Sequence, residues 1–151
     1  MKGRPIASWA AFLLRLMLGG VFLWAGMVKI QNSQDFADSI ETFKVVPPEA
    51  LNLIALGVPP LEIIVGLMLI AGWAKRLGAF SAVVLLAIFC LLALQALIRG
   101  LPVDCGCFGS GEVSGTSSWV LLARDIALLI ASAFVYIHTL FAEDRFKPFA
   151  E

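Results

Sequence analysis

Two cysteines separated by one glycine are the residues of this sequence best suited to chemistry. Cys105 and Cys107 lie in the string DCGCFG at residues 104–109, a polar and glycine-broken stretch in the otherwise apolar second half of the chain. Two thiols this close can act as a dithiol, form a strained disulfide or clamp a soft metal ion. The pair is therefore the first candidate for a reactive site.

The spacing of the two cysteines favours exchange over a structural bond. A disulfide needs its Cα atoms about 4.4–6.8 Å apart, which residues two positions apart can reach through a turn. Gly106 supplies the backbone freedom for that turn. The closed ring is small, so we expect it to be strained and easily reduced, and loop closure stabilises the fold least when the loop is so short. We predict a redox-active pair, with soft-metal binding and a chemically quiet loop as the alternatives.

Charged residues elsewhere in the chain could tune these thiols. Positive charge favours the thiolate, and Arg124 and Lys29 are predicted to lie at a suitable depth to provide it. Asp104 would oppose that effect or shuttle a proton, and Asp125 follows Arg124 directly. The third cysteine, Cys90, lies on an apolar face and is expected to be an inert core thiol. One histidine and three cysteines at these spacings suit no zinc site, so no metal centre is predicted.

Composition predicts a single membrane domain over residues 1–151. Hydrophobic residues make up 60% of the chain and charged residues 15%, with a mean hydropathy of +0.94. Soluble domains average about 45–50% apolar and about 25% charged residues, so a lipid bilayer must solvate much of this surface. Zero formal charge and the lack of a basic run argue against nucleic-acid binding.

Four apolar runs are each long enough to cross the roughly 30 Å hydrocarbon core of a bilayer. The first is too long for a signal peptide and has no cleavage site after it, so we interpret it as a retained span. The predicted fold class is an all-α membrane protein, a four-transmembrane-helix bundle. The predicted spans are residues about 9–30, 51–73, 77–98 and 119–141.

The polar segment between the first two spans has a pattern of its own. Phe36, Ile40 and Phe43 recur at helical spacing among acidic residues, which predicts a short interfacial helix ended by Pro47-Pro48. A second proline pair, at residues 59–60, should kink the second span or make it begin late.

Basic residues predict the orientation of the bundle. Lysines and arginines of short loops gather on the cytoplasmic side of membranes, and here they fall on one side of a four-span topology. Both termini are therefore predicted to be cytoplasmic, with the cysteine loop in the periplasm of a bacterial inner membrane, where disulfides can form. The basic residues in question are Lys2, Arg4, Lys75, Arg76, Arg145 and Lys147.

Small and charged residues share one stripe on each of the first two spans. Small residues let membrane helices pack closely, so both stripes are predicted to face the bundle and to carry their charges inward. On the fourth span, Arg124 heads a predicted line through Leu128, Ala131, Val135 and His138, with Asp125 one position round. The first stripe is Arg15, Gly19, Phe22, Gly26 and Lys29, and the second is Ala55, Pro59, Glu62, Gly66, Leu69 and Trp73.

The charges within the spans should be paired. A charged side chain at mid-bilayer costs about 2.5–3.5 kcal/mol on insertion scales. We predict a pair between Glu62 and either Arg124 or Lys29. The alternative to a functional role is that such pairs only set the helix register, and Arg15 could extend to the cytoplasmic headgroups.

The first two spans resemble a known group of membrane proteins. The string RLMLGGVF beginning at Arg15, continued through Gly26 to Lys29, is similar to the first-helix signature of DoxX-type membrane proteins. The string PLE at residues 60–62, with Gly66, resembles the second-helix pattern of the same superfamily.

The cysteine string and the residues after it resemble one branch of that superfamily, methylamine utilisation protein MauE. The likeness rests on DCGCFG at 104–109, then Trp119 and Arg124-Asp125, and it extends over nearly the whole chain. Asp125 stands where asparagine is frequent in the branch, so a proton-carrying role for it does not follow from the resemblance.

This resemblance implies a four-helix inner-membrane protein. The namesake is needed for maturation of a disulfide-rich periplasmic subunit of methylamine dehydrogenase, and it acts alongside a thioredoxin-like partner. The wider branch is similar to membrane thiol oxidoreductases that exchange electrons between quinones and periplasmic proteins.

The sequence supports three hypotheses. In the first, the chain is a membrane thiol–disulfide oxidoreductase whose cysteine pair exchanges with a periplasmic thioredoxin-like protein or client. A quinone would then lie near Arg124, Glu62 and Lys29, with Arg15 as a further candidate for binding it. In the second, the chain is a non-enzymatic assembly factor that docks a client, and in the third it binds a soft metal.

Overall fold

Five α-helices make up the described part of the protein. The computed structural model describes residues 4–43, 47–100 and 118–143, and no strand occurs within them. The predicted all-α architecture is confirmed. The helices are α1 (Arg4–Gln31), α2 (Ser33–Phe43), α3 (Pro48–Ala71), α4 (Lys75–Arg99) and α5 (Ser118–Glu143).

All of the helices except α2 are long and apolar enough to cross a membrane, which confirms the four predicted spans. Their outer faces carry large apolar side chains that are more than half exposed, among them Trp24, Leu56, Ile64 and Ile130. Exposing this much apolar surface to water would be costly, whereas lipid solvates it. The chain is therefore a multi-pass membrane protein. The qualifying segments are Trp9–Gln31, Glu49–Ala71, Lys75–Arg99 and Leu122–Phe141.

Proline placement differs in part from the prediction. The predicted short helix is present as α2, but Pro47 and Pro48 begin α3 rather than end α2: Pro47 is the extended N-cap and Pro48 follows inside the first turn. A proline is well tolerated there because the first helical N–H groups have no intrahelical partner. Pro59 and Pro60 lie inside a continuous α3, so the expectation of a late start is wrong.

A tight turn joins α3 to α4. The backbone N–H of Gly72 donates to the carbonyl of Met68, and Gly72 has a φ of 70°. Ala74 also adopts the left-handed region, with a φ of 48°. That conformation costs a non-glycine residue roughly 1–2 kcal/mol, so the turn is held by the helices on either side of it.

The helices pack as two pairs, α1 with α3 and α4 with α5, joined by a common core. The α1–α3 contact is close: a Cβ added at Gly26 would lie 2.8 Å from the carbonyl oxygen of Pro59. Small residues permit this approach in the membrane, as the first-span stripe predicted. The core consists of Leu18, Phe22, Val65, Leu69, Ala79, Ala82, Leu86 and Val135.

The two predicted stripes face the bundle except at one end of each. The first-span stripe is buried, apart from Arg15 at its end, which is half-buried. The second-span stripe is buried as far as Leu69. Trp73 is exposed instead, because α3 ends at Ala71 and Trp73 follows the left-handed residue Gly72.

Candidate functional site

A buried ion pair joins α1 to α3. The Nζ atom of Lys29 donates to Oε1 of Glu62, and each side chain is only 1% exposed. Lys29 lies one turn beyond Gly26, whose close contact with α3 brings the two backbones together. Lys29, one of the two predicted partners of Glu62, therefore forms an ion pair with it.

Two aromatic rings complete the surroundings of the Lys29 ammonium group. Its Nζ atom is 5.1 Å from the ring centroid of Phe36 in α2 and 4.5 Å from that of Phe89 in α4. Cation–π contacts stabilise a desolvated ammonium by about 2 kcal/mol or more. Four helices thus contribute to one site. The sequence pattern marked Phe36 as part of the apolar face of α2 but did not indicate Phe89.

A second pair, Arg124 with Asp125, lies on α5. Nε and Nη2 of Arg124 donate to Oδ1 of Asp125 at 3.2 and 3.0 Å. The Asp125 residue is 7% exposed, whereas the Arg124 side chain is 30% exposed. The charges of these two side chains, which are adjacent in sequence, therefore neutralise each other at the edge of the bundle.

The inward face of α5 carries Asp125 and part of the predicted line. Asp125, rather than Arg124, lies on the buried face, together with Ser132, whose hydroxyl donates to the carbonyl of Leu129. Of the predicted line through Arg124, Val135 is buried, and Leu128 and Ala131 are partly buried against the core. The buried residues of this helix are Leu122, Asp125, Ser132 and Val135.

Helix α4 contacts one charged pair and the helix that carries the other. Its residue Phe89 contacts the Lys29 ammonium group, and the next residue, Cys90, is half-buried. Helix α4 also packs against α5, which carries the Arg124–Asp125 pair.

Arg15 lies apart from the Lys29–Glu62 pair. It is about four turns from Lys29 along α1, roughly 21 Å at about 1.5 Å per residue. Its two terminal nitrogens lie beside Gly72, the C-cap of α3, where an added Cβ would be 3.2 Å from each of them. The Cζ atom of its guanidinium lies 5.5 Å from the ring centroid of Phe12. A cation at a helix C-terminus is favourable, so Arg15 stabilises the end of α3. Its part in a cofactor site stays a prediction.

The predicted reactive thiols lie outside the described residues. Cys105, Cys107 and Asp104 belong to the segment 101–117, which connects the end of α4 to the start of α5. These two helices also carry Cys90 and Asp125.

Comparison of the sequence with known protein families identifies the family of this chain. A family model described as methylamine utilisation protein MauE matches residues 7–138, from the first membrane helix into the last and across the cysteine string. The chain belongs to the MauE family. The predicted MauE resemblance is thereby confirmed, and the wider DoxX relationship stays a prediction.

Curated MauE proteins show how far the likeness extends. The methylamine utilization protein MauE of Paracoccus denitrificans is 31% identical over 126 residues, which cover 83% of this chain and 66% of that protein. The MauE protein of Paracoccus versutus is 30% identical over 125 residues, covering 82% and 65%. The chain thus spans about two thirds of the length of these relatives. No solved structure matches it.

Proposed function

We propose that this MauE-family protein is a membrane thiol–disulfide redox protein of the bacterial inner membrane. Cys105 and Cys107 exchange electrons, on the periplasmic side, with a thioredoxin-like protein or a disulfide-containing client. The observation that carries the proposal is the single-residue spacing of the two thiols in the segment between α4 and α5. A ring closed over so few residues stabilises a fold little and is easily opened, which suits exchange.

The exchange proceeds through two successive thiolate attacks. A client thiolate attacks one sulfur of the Cys105–Cys107 disulfide, so that bond breaks, a mixed disulfide forms and the released thiolate takes a proton. The second client thiolate then attacks the mixed disulfide. The client leaves with a disulfide, and the pair becomes a dithiol that has gained two electrons and two protons. The disulfide of a thioredoxin-like partner restores the pair by the same two steps, and the reverse sequence reduces a client.

A quinone is the second electron acceptor that we propose. When bound, a quinone takes up two electrons and two protons and becomes a quinol, which balances oxidation of the dithiol. The Lys29 ammonium fits a carbonyl oxygen as a hydrogen-bond donor, because it is desolvated between the rings of Phe36 and Phe89. Glu62 holds that ammonium in place, and Arg124, near the start of α5, is the second donor that we propose.

The names of the related proteins support one class of client. The matched MauE proteins are named for methylamine utilization. A disulfide-containing periplasmic protein of that process is the client we propose for this chain.

The second candidate is a non-enzymatic maturation factor. Its support is α2, which is anchored by buried Phe36 and has Asp35 and Glu41 exposed. An amphipathic helix with an acidic outer face suits docking of a client. Under this alternative, serine at both loop cysteines is tolerated, whereas Asp35→Lys with Glu41→Lys is harmful.

The test is thiol trapping of the full chain in cells, in a Cys90→Ser background that removes the third thiol. Acid-quenched cells are treated with a heavy maleimide, with and without reductant, and the gel shift reports the redox state of the pair. We expect both states to be populated. One of the single variants Cys105→Ser and Cys107→Ser should accumulate a mixed disulfide that reductant releases, and the double variant should lose exchange while it still inserts in the membrane.

Two results would contradict the redox proposal. One is a normal periplasmic thiol balance in the double serine variant. The other is labelling of the pair by a membrane-impermeant maleimide only after the inner membrane is opened, because the thiols would then face the reducing cytoplasm.

A further inference from the structure

A cavity opens beside the turn between α3 and α4, at the N-terminal end of α4. Its volume is about 430 Å³, within the roughly 300–1,000 Å³ of small-molecule sites. Among the described residues, Lys29 and Glu62 do not line it. The lining residues are Ala74, Lys75, Arg76, Leu77, Phe80 and Tyr136.

One side of the cavity is cationic. Lys75 and Arg76 are both exposed, and within residues 4–43, 47–100 and 118–143 neither forms an ion pair. No side chain caps the first turn of α4 at Ala74, so the helix adds N–H groups to the same side. Two adjacent cations on one wall of a cavity favour an anionic group.

The other side of the cavity is apolar and continues onto the outside of the bundle. Leu77 and Phe80 are 58% and 49% exposed on a membrane-spanning helix. Phe80 packs on Tyr136 with ring centroids 5.8 Å apart, which fixes the apolar wall between α4 and α5. A ligand that fits both sides is anionic at one end and apolar at the other.

We propose that this cavity binds the phosphate headgroup of an anionic phospholipid, with Lys75 and Arg76 on the phosphate and an acyl chain along Phe80. The apolar wall favours a lipid over a free phosphate, which would leave that wall uncovered. Trp73, which is 83% exposed next to the cavity, suits the headgroup level of a bilayer. The site is independent of the redox proposal.

The test uses the full-length protein, purified in detergent and stripped of lipid. Native mass spectrometry measures how much phosphatidylglycerol remains bound relative to phosphatidylcholine. We expect the wild type to prefer phosphatidylglycerol and the Lys75→Gln/Arg76→Gln variant to lose about tenfold or more of that preference, because each cation near anionic lipid contributes several-fold to binding. The conservative Lys75→Arg/Arg76→Lys variant should keep most of it.

A matched control removes one cation from the other end of the same helix. Arg99→Gln should leave the preference unchanged, whereas Arg76→Gln alone should lower it. Melting temperatures without lipid should agree between these variants, which separates lipid binding from folding.

Each opposite outcome overturns the proposal. The proposal is overturned if the wild type retains the two lipids equally. It is also overturned if the Lys75→Gln/Arg76→Gln variant binds phosphatidylglycerol as well as the wild type does. Displacement of phosphatidylglycerol by millimolar inorganic phosphate, combined with no lipid preference, would assign the cavity to a soluble phosphate instead.

Discussion

Gly19 of α1 and Gly66 of α3 face each other backbone to backbone. A Cβ added at Gly19 would lie 2.9 Å from the carbonyl oxygen of Gly66, and a Cβ added at Gly66 would lie 2.9 Å from the carbonyl oxygen of Gly19. Neither helix can accept a methyl group here without moving. The same close contact, continued to Gly26, brings Lys29 within reach of Glu62. The glycine stripe is therefore a condition for the buried ion pair.

Alanine at either facing glycine should destabilise the bundle. We expect Gly19→Ala and Gly66→Ala each to lower the free energy of unfolding by about 1–3 kcal/mol, because the added methyl group meets backbone atoms that can only move with the helix. Thermal unfolding in one detergent measures the effect. Gly20→Ala is the matched control, since no atom lies within 4 Å of its added Cβ and alanine is the better helix former. Equal melting temperatures for all three variants would exclude the close contact.

Removing one member of the buried ion pair should cost more than removing both. Lys29→Met leaves the Glu62 carboxylate buried without the ammonium, a loss of about 3–5 kcal/mol in the free energy of unfolding. Lys29→Met combined with Glu62→Met should recover most of that loss, because neither charge of the pair then remains buried. Unfolding of the single and double variants gives the coupling energy, and Lys75→Met, at an exposed cation, should change stability by no more than about 0.5 kcal/mol. Additive losses in the double variant would refute the pairing.

The Phe36 ring should hold α2 on the bundle. Phe36→Leu keeps an apolar side chain but removes the ring face 5.1 Å from the Lys29 Nζ atom, so we expect faster hydrogen exchange in residues 33–43. Ser39→Ala on the same helix removes a hydrogen bond to the carbonyl of Asp35 and serves as the control. Exchange that speeds up as much in Ser39→Ala as in Phe36→Leu would show that α2 depends on its own hydrogen bonds rather than on Lys29.

Several features of the fold could be predicted because each depends on local chemistry. An apolar run of about 20 residues has few stable solutions other than a membrane helix, so the four spans were evident. The stripe from Gly19 to Lys29 was evident for a similar reason: small and charged residues at helical spacing avoid lipid. The helix α2 followed from Phe36 and Ile40 recurring among acidic residues.

The contacts between helices could not be predicted from the sequence in the same way. Glu62 had two cations as possible partners, and only the α1–α3 contact at Gly26 puts Lys29 beside it. Phe89 lies in an apolar run where nothing distinguishes it from its neighbours, yet packing of α4 places its ring 4.5 Å from the Lys29 ammonium. On α5 every face is apolar, so the burial of Asp125 depended on the rotation of the helix against α4. The apolar composition determines that these segments form membrane helices. Which charged side chains pair is determined by how closely the helix backbones approach, as α1 and α3 do at Gly26.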